Sequence, residues 1–292
     1  MSGARFIAGI EPLIEGYDGF LLDQFGVLHD GVAPFPGVVA ALSRLREQGR
    51  AALILSNSGK RSAPNVARLE GLGIPRSLYT GLVSSGEAAW LGLRERTDPL
   101  FADLGRRCLL VSRGGDRSAI EGLDLDLVDA DTADFVLLAG LDGDAHARAR
   151  LDGELAIALG RRLPLVCTNP DVVSLEGERR VDGPGRFAQD YAEVGGEVRW
   201  VGKPHAAIFR AALERVGVAP DRLVMVGDSL HHDIKGASPF GIDGALVMNG
   251  VHEAALEGRR GADLDAALQG LLGDDLPAPR WLLPAFRLDP KD

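Results

Sequence analysis

The chain has 292 residues, of which 46% are hydrophobic, 25% charged and 5% aromatic. This length can build one large domain or two ordinary ones with a real hydrophobic core, and the composition excludes disordered, collagen-like and coiled-coil chains. Thirty-two basic residues against 42 acidic ones give a formal net charge of −10. Because no basic run is longer than two residues, we do not expect a nucleic-acid-binding face.

The sequence further predicts a soluble, cytoplasmic protein that does not bind membranes. Its apolar runs stop well short of the ~20 residues that a membrane-spanning helix needs. The first residues, MSGARFIAGIEP, lack the long apolar stretch of a secretory signal. The two cysteines, Cys108 and Cys167, lie in apolar contexts and cannot form a disulfide framework, which suits a reducing compartment.

Short apolar runs alternate along the chain with amphipathic helical stretches, which predicts a parallel α/β sheet covered by helices on both faces. The predicted strands are Gly19–Leu22, Ala51–Leu55, Cys108–Ser112, Asp134–Ala139, Leu165–Thr168, Val198–Val201, Leu223–Val226 and Gly244–Met248. The predicted helices are Gly37–Gln48, a helix that is opened by residues 56–59 and runs to about Gly71, Ala145–Leu159 and Ala206–Val216. The proline-rich tail from Asp274 predicts an extended strap rather than a packed element.

Polar residues follow four predicted strands, either directly or after one glycine, at the sheet edge where parallel α/β proteins bind ligands. These residues are Asp23, Ser56, Lys203 and Asp228, with Asp233 five positions after Asp228. Each also has a plain structural explanation, as a turn aspartate, a helix N-cap, a solvated lysine or a first-turn acid. However, Lys203 is one of only four lysines, and two nearby carboxylates suit a hard cation such as Mg²⁺.

In this order the four segments resemble the motifs of the haloacid dehalogenase (HAD) superfamily of hydrolases: a nucleophilic Asp, a Ser/Thr, a Lys and paired Asp residues. The resemblance to its class IIA branch rests on GVLHDG at 26–31, SNSGKRS at 56–62 and TNPD at 168–171. It spans positions 17 to about 250. It implies a Rossmann-like parallel-sheet HAD core, residues 1–83 and 198–292, and an inserted α/β cap domain of the IIA type, residues 84–197.

The resemblance also implies the roles of individual residues in a phosphatase that passes through an aspartyl-phosphate. Asp23 would be the nucleophile, and Mg²⁺ would be held by Asp23, Asp228 and the backbone carbonyl of Phe25. Asp233 would hold metal-bound water or orient Lys203. The phosphate would be bound by Ser56, Asn57 and Lys203, and the cap would contribute Asn169 and Asp171 near the substrate. A small phosphorylated metabolite is the expected substrate, and a homodimer is possible because caps of this branch often take part in dimers.

Phe25 departs from the family pattern, which has a second aspartate two residues after the nucleophile as the general acid and base. That function is typically worth ~10²–10⁴ in rate. A phosphatase with this substitution would favour good leaving groups, such as acyl or aryl phosphates, or would use His29 as a substitute acid.

Two other functions stay open. One is a metal-independent, haloacid-dehalogenase-like hydrolysis of carbon–halogen bonds, since those enzymes carry a tyrosine at the position of Phe25. The other is a catalytically weak protein that binds a phosphorylated ligand. The presence of both Asp228 and Asp233 favours the phosphatase over the dehalogenase, and the presence of Asp23 argues against a pure binding protein.

Overall fold

The computed structural model describes residues 3–142, 144–176 and 179–289. None of the helices within these ranges has the length and apolarity needed to cross a membrane. The chain divides into two compact units. The core unit comprises the described residues of 1–56, 66–83 and 209–292, and the cap unit those of 57–65 and 84–208.

The strands are, in chain order, β1 (Arg5–Phe6), β2 (Gly19–Leu22), β3 (Ala51–Ser56), β4 (Gly81–Ser84), β5 (Arg107–Val111), β6 (Asp126–Leu127), β7 (Phe135–Leu138), β8 (Leu165–Cys167), β9 (Val173–Glu176), β10 (Arg179–Asp182), β11 (Val198–Trp200), β12 (Leu223–Gly227), β13 (Asp243–Val247) and β14 (Trp281–Leu283). The α-helices are α1 (Glu11–Gly16), α2 (Val38–Glu47), α3 (Ser62–Gly71), α4 (Ser85–Glu95), α5 (Ala145–Gly160), α6 (Pro184–Glu193), α7 (Ala206–Val216), α8 (Lys235–Ala237), α9 (Glu253–Leu256) and α10 (Gly261–Leu272).

The core unit is built on a sheet whose described strands run in the order β1-β14-β13-β12-β2-β3-β4. The four central strands β13, β12, β2 and β3 pair in parallel. Strand β2 is buried along its whole length, which explains why its sequence is continuously apolar instead of alternating. Leu22, Ile54, Val226 and Val247, one from each central strand, pack in the same hydrophobic cluster. The predicted parallel α/β architecture is confirmed.

The segment after Asp274 is not the extended strap that the sequence predicts. It contains β14, which pairs in parallel with β1 on one side and with β13 on the other. Leu282, Leu283 and Phe286 are at most 1% exposed, so this segment is part of the core. A run of three apolar residues among prolines is too short to show strand periodicity, so the sequence pattern did not indicate it.

The cap unit has its own parallel sheet, in the order β11-β8-β7-β5-β6 among the described strands, and a hairpin of β9 and β10. Strand β11 pairs with β8 in this sheet, although the sequence resemblance predicts that residues from 198 onward belong to the core. The cap unit thus includes all the described residues of 84–197 and also 57–65 and 198–208. Cys108 and Cys167 are free and buried in it, and burial raises the pKa of both thiols to about 12.

Candidate active site

Three of the carboxylates that the sequence singles out lie together in the core unit. Asp23, Asp228 and Asp233 each offer an oxygen, and these oxygens all lie within 4.8 Å of one another. The register of the sheet explains why Asp23 and Asp228 lie together. Leu22 on β2 pairs with Val226 on β12, so the residues that follow these two strands emerge at the same edge of the sheet. The Asp23 N–H continues that pairing by donating to the carbonyl of Val226 at 2.9 Å.

Asp233 reaches this cluster because the chain after β12 folds back in a π-helical turn, Leu230–Ile234. Such turns are rare and occur frequently at functional sites. Ser229 fixes the turn from both sides: its backbone N–H donates to Asp233 Oδ2 at 3.1 Å, and its hydroxyl accepts from the N–H of His232. Asp233 is completely buried, so its carboxylate is held in one position.

Asp228 is held by close approaches of the backbone from two separate loops. The N–H of Val251 donates to Asp228 Oδ2 at 3.0 Å. Gly26, in the loop after Asp23, has a φ of +85°, and a Cβ there would lie 2.1 Å from the same oxygen. Only glycine therefore fits position 26, for both its backbone conformation and the space available.

The donor set fits a hard divalent cation. Three carboxylates within 4.8 Å, two of them buried, repel one another strongly unless a positive charge or a proton lies between them. All three offer oxygen ligands, which Mg²⁺ prefers. The backbone N–H of Gln24 donates to Asp23 Oδ1 at 2.7 Å and fixes the third carboxylate.

Phe25 lies in the loop between Asp23 and Gly26, and its side chain is 44% exposed. In this loop the N–H of Gly26 donates to the carbonyl of His29, and the N–H groups of Leu28 and His29 donate to the carbonyl of Gln24. None of these three hydrogen bonds uses the carbonyl of Phe25. The phenyl ring makes an edge-on contact with the His29 ring, with 5.8 Å between centroids and an interplanar angle of 90°.

His29 is a structural residue, and the structure gives it no place as a proton donor. It is completely buried, and burial lowers its pKa to about 4. The N–H of Gly31 donates to Nδ1 at 2.9 Å, so the proton of the neutral ring is on Nε2. Nε2 lies 3.1 Å from the Gln24 side-chain amide, and its N–H can donate to that amide when the otherwise unpartnered Gln24 Oε1 faces the ring. The alternative that His29 replaces the missing acid is therefore not supported.

Within the cap unit, three more of the predicted residues gather around one amide side chain. Asn57 accepts from the backbone N–H of Lys203 at 2.7 Å and donates to Asp171 Oδ1 at 2.8 Å and to the Lys203 carbonyl at 3.2 Å. The Asn169 side chain in turn accepts from the N–H of Asp171 at 3.0 Å. Segments that are more than 100 residues apart in sequence are thereby tied together, with Lys203 only 2% exposed.

Ser56, the remaining predicted residue, is the last residue of β3 in the core unit and is 7% exposed. It directly precedes Asn57, the first residue of the cap unit. The helix that the sequence analysis began near these residues starts six positions later, at Ser62. Residues 57–61 therefore form a loop whose backbone N–H groups are not committed to helix hydrogen bonds.

A cavity of about 450 Å³ lies within the cap unit at the carboxyl ends of β5 and β7. Its two arginines are already paired with acids: Arg148 with Asp182, and Arg150 with Glu154 at 3.9 Å. With this balance of charge the cavity offers no concentrated positive potential, so it is a poor candidate for the phosphate site.

Sequence reasoning missed the supporting residues of the site. Gln24 lies next to Asp23 and His29 lies within the GVLHDG segment, but no sequence signal shows that their side chains meet. Gly250 and Val251 lie more than 220 residues after Asp23, and a Cβ on Gly250 would be 2.2 Å from Asp228 Oδ2. Such tertiary contacts become visible only in the folded chain.

Comparison with known proteins places this arrangement in a family. A family model described as haloacid dehalogenase-like hydrolase matches residues 20–126, and an HAD-hydrolase-like model matches residues 200–271. Chronophin from Rattus norvegicus is 30% identical over 249 residues, which cover 84% of this chain and 80% of chronophin.

Solved structures agree over nearly the whole chain. A haloacid dehalogenase-like hydrolase from Brucella suis 1330 superposes with a TM-score of 0.79 at 29% identity, covering 96% of this chain and 99% of that one. The p-nitrophenyl phosphatase from Archaeoglobus fulgidus shares the fold, with a TM-score of 0.71 at 22% identity and coverages of 92% and 96%. The chain therefore belongs to the haloacid dehalogenase-like hydrolases, in their class IIA branch.

Proposed function

We propose that this chain is a Mg²⁺-dependent phosphatase that acts on a small phosphorylated metabolite. The observation that carries the proposal is the cluster of Asp23, Asp228 and Asp233, whose oxygens lie within 4.8 Å of one another. Relatives that carry the name phosphatase, among them one from Archaeoglobus fulgidus, support the same class of reaction. The expected location is the cytoplasm, which suits two free thiols. Assembly into a homodimer stays a prediction.

In the proposed reaction the Asp23 carboxylate attacks phosphorus and the leaving group departs with the bonding electron pair. The aspartyl-phosphate that results is hydrolysed by water, which returns free Asp23 and inorganic phosphate. We assign the Ser56 hydroxyl, the Asn57 N–H and the Lys203 ammonium to the phosphate oxygens. The hydrogen bonds between Asn57 and the Lys203 backbone support this assignment, because they fix two of these groups relative to each other.

The proposed metal ligands are Asp23, Asp228 and the backbone carbonyl of Phe25. Asp233 is proposed to hold metal-bound water or to orient Lys203. Bound Mg²⁺ supplies positive charge that offsets the repulsion between the phosphate and the attacking carboxylate. Asp171 and Asn169, which are tied to Asn57, are the proposed cap contribution to substrate binding.

The absence of a general acid at position 25 limits which leaving groups can depart. Phe25 has no proton to donate, and His29 is buried and neutral near pH 7. The leaving group must therefore depart without protonation by either residue. We infer that acyl and aryl phosphates, whose leaving groups are stable anions, are turned over faster than alkyl phosphates.

The haloacid-dehalogenase-like alternative is not favoured, because a metal-independent reaction has no use for three converging carboxylates. Release of chloride from a haloacid in the presence of EDTA would reverse that ranking. A protein that only binds its phosphorylated ligand would show Mg²⁺-dependent binding with no phosphate release at high protein concentration.

The test is a phosphate-release assay on aryl and acyl phosphates with Mg²⁺ or with EDTA. We expect activity only with Mg²⁺, and a loss of at least ~10³-fold in Asp23→Asn, which removes the nucleophile. Asp30→Asn is the matched control, because Asp30 is an exposed acid in the same loop that binds only the N–H groups of Val32 and Ala33. Equal activity of Asp23→Asn and wild type would overturn the proposal.

A further inference from the structure

The loop that carries the proposed nucleophile exposes one aromatic side chain although its neighbours are buried. Val27, Leu28 and His29 are completely buried, whereas Phe25 is 44% exposed. Exposing a phenyl ring gives up the favourable free energy of its burial. A lone exposed apolar residue is common on protein surfaces, but this ring has defined contacts and a second exposed apolar side chain nearby.

The Phe25 ring contacts two neighbouring residues of the same loop. Its edge-on partner, His29, is completely buried and accepts a hydrogen bond on Nδ1 from the N–H of Gly31. On another side the ring carbon Cε2 packs against Gly31, where a Cβ would be only 3.2 Å away. Because these contacts restrict the ring, a ligand that binds against it has less ordering entropy to offset.

A second exposed apolar residue lies beside the same carboxylates. Val251 is 71% exposed, and its N–H donates to Asp228 Oδ2 at 3.0 Å. The backbone at Gly26, the residue after Phe25, approaches that same oxygen. The segments of Phe25 and Val251 therefore meet at one oxygen of the acidic cluster. We call these two side chains the apolar rim.

We propose that the apolar rim binds the leaving group of the substrate, and that the substrate class is phosphates with an aromatic leaving group. The proposal rests on the proposed function, since it concerns the same reaction. Neither rim side chain can hydrogen-bond a hydroxyl, so a sugar leaving group gains nothing from it. A flat ring gains both the burial of apolar surface and an aromatic contact with Phe25.

Aromatic binding and leaving-group stability are separable with four substrates. p-Nitrophenyl phosphate is aromatic with a good leaving group, and benzyl phosphate is aromatic with a poor one. Acetyl phosphate is small with a good leaving group, and ethyl phosphate is small with a poor one. Leaving-group stability should govern kcat, whereas contact with the apolar rim should govern KM.

The experiment measures kcat and KM for these substrates with Mg²⁺ in wild type, Phe25→Ala and Val251→Ser. The readout is the ratio of KM for each aromatic substrate to KM for acetyl phosphate. We expect this ratio to rise about tenfold in Phe25→Ala and by a smaller factor in Val251→Ser. Phe6→Ala is the matched control, because Phe6 is a 40% exposed phenylalanine on β1, four strands from β2 in the sheet, and its ratio should not change.

Two different failures are distinguishable. If wild type hydrolyses acetyl phosphate but the KM ratio is unaffected by both rim variants, the apolar rim does not bind the leaving group and the proposed function stands. If wild type with Mg²⁺ hydrolyses none of the four substrates, the proposed function fails, and the inference that rests on it fails as well.

Discussion

Position 25 places a phenyl ring, which has no proton to donate, two residues after Asp23, the proposed nucleophile. Phe25→Asp would supply a carboxylic acid on the same loop. We expect it to raise kcat for ethyl phosphate by about 10²-fold, because ethoxide departs slowly unless it is protonated. The kcat for p-nitrophenyl phosphate should change less than about threefold, because nitrophenolate departs unprotonated. Steady-state phosphate release on both substrates is the measurement.

Phe25→Asn is the control for this experiment. It has nearly the same size and polarity as the aspartate variant, but it has no carboxylic proton. If Phe25→Asn accelerates ethyl phosphate hydrolysis as much as Phe25→Asp does, the gain comes from polarity or from space and not from acid catalysis. A gain that is equal for ethyl and p-nitrophenyl phosphate would exclude acid catalysis in the same way.

His29 makes the stability of the protein depend on pH in a defined window. Its pKa is about 4 in the folded chain against 6.5 for an unperturbed histidine, so the unfolded chain binds more protons between those values. The free energy of unfolding is therefore complete above pH ~6.5 and falls as the pH is lowered toward about 4. His29→Asn should cost about 2 kcal/mol at pH 7 through lost hydrogen bonds, yet lose less stability than wild type between pH 7 and pH 5.

Urea unfolding of both proteins at the two pH values measures this difference. Burial also lowers the pKa of His231 and His252, but these residues contribute equally to wild type and variant. The exposed His146 provides the control, since His146→Asn should keep the wild-type slope. If wild type and His29→Asn lose the same free energy between pH 7 and pH 5, His29 is not the group responsible.

At the scale of elements, the strand β14 decides whether the C-terminal segment belongs to the core. Leu283 is completely buried in the same cluster as Leu22 and Val247. Leu283→Ala should therefore lower the free energy of unfolding by about 3 kcal/mol, as expected for a large-to-small change in a packed core. Val39→Ala, at a 38% exposed position of α2, should change it by less than about 0.5 kcal/mol. Equal effects in urea unfolding would mean that β14 is not part of the folded core.

The sequence predicted the central strands of both sheets, because a strand that is buried on both faces reads as a continuous apolar run. Predicted and observed bounds coincide for Gly19–Leu22, and they differ by one or two residues at the other predicted strands. Strand β14 was missed because its three residues lie among prolines. Residues from 198 onward were predicted to belong to the core, although β11 pairs with β8 in the cap unit, because strand pairing has no local signal. The sequence pattern within a segment predicted its secondary structure, but it did not predict which strands pair with each other.

The same division applies to the candidate site. Asp23 and Asp228 could be found because each follows a strand and parallel strands end at a common edge, and Asp233 because it lies five residues after Asp228. The contacts that hold them could not be found, since the Gln24–His29 pair and the approach of Val251 depend on how loops pack. The burial of His29, which removes it as an acid, is likewise a property of the folded loop.

For the whole molecule, the proposed metal site predicts that folding is coupled to Mg²⁺ binding. The chain already carries a formal net charge of −10, and three of its carboxylates are held within 4.8 Å of one another. A cation that binds only the folded state stabilises it by mass action, by about 2.7 kcal/mol when free Mg²⁺ is one hundred times its dissociation constant. Calorimetric unfolding of wild type should therefore shift to higher temperature with Mg²⁺ and return with EDTA.

Asp228→Asn and wild type should exchange their order of thermal stability between EDTA and Mg²⁺. In EDTA the variant should unfold at a temperature equal to or above that of wild type, because one of three mutually repelling charges is gone and the amide oxygen can still accept from the N–H of Val251. With Mg²⁺ the variant should gain little and become the less stable of the two. This crossing is independent of turnover, so it tests the metal site even if no substrate is known. Wild type and variant that respond equally to Mg²⁺ would show that the three carboxylates do not bind the ion.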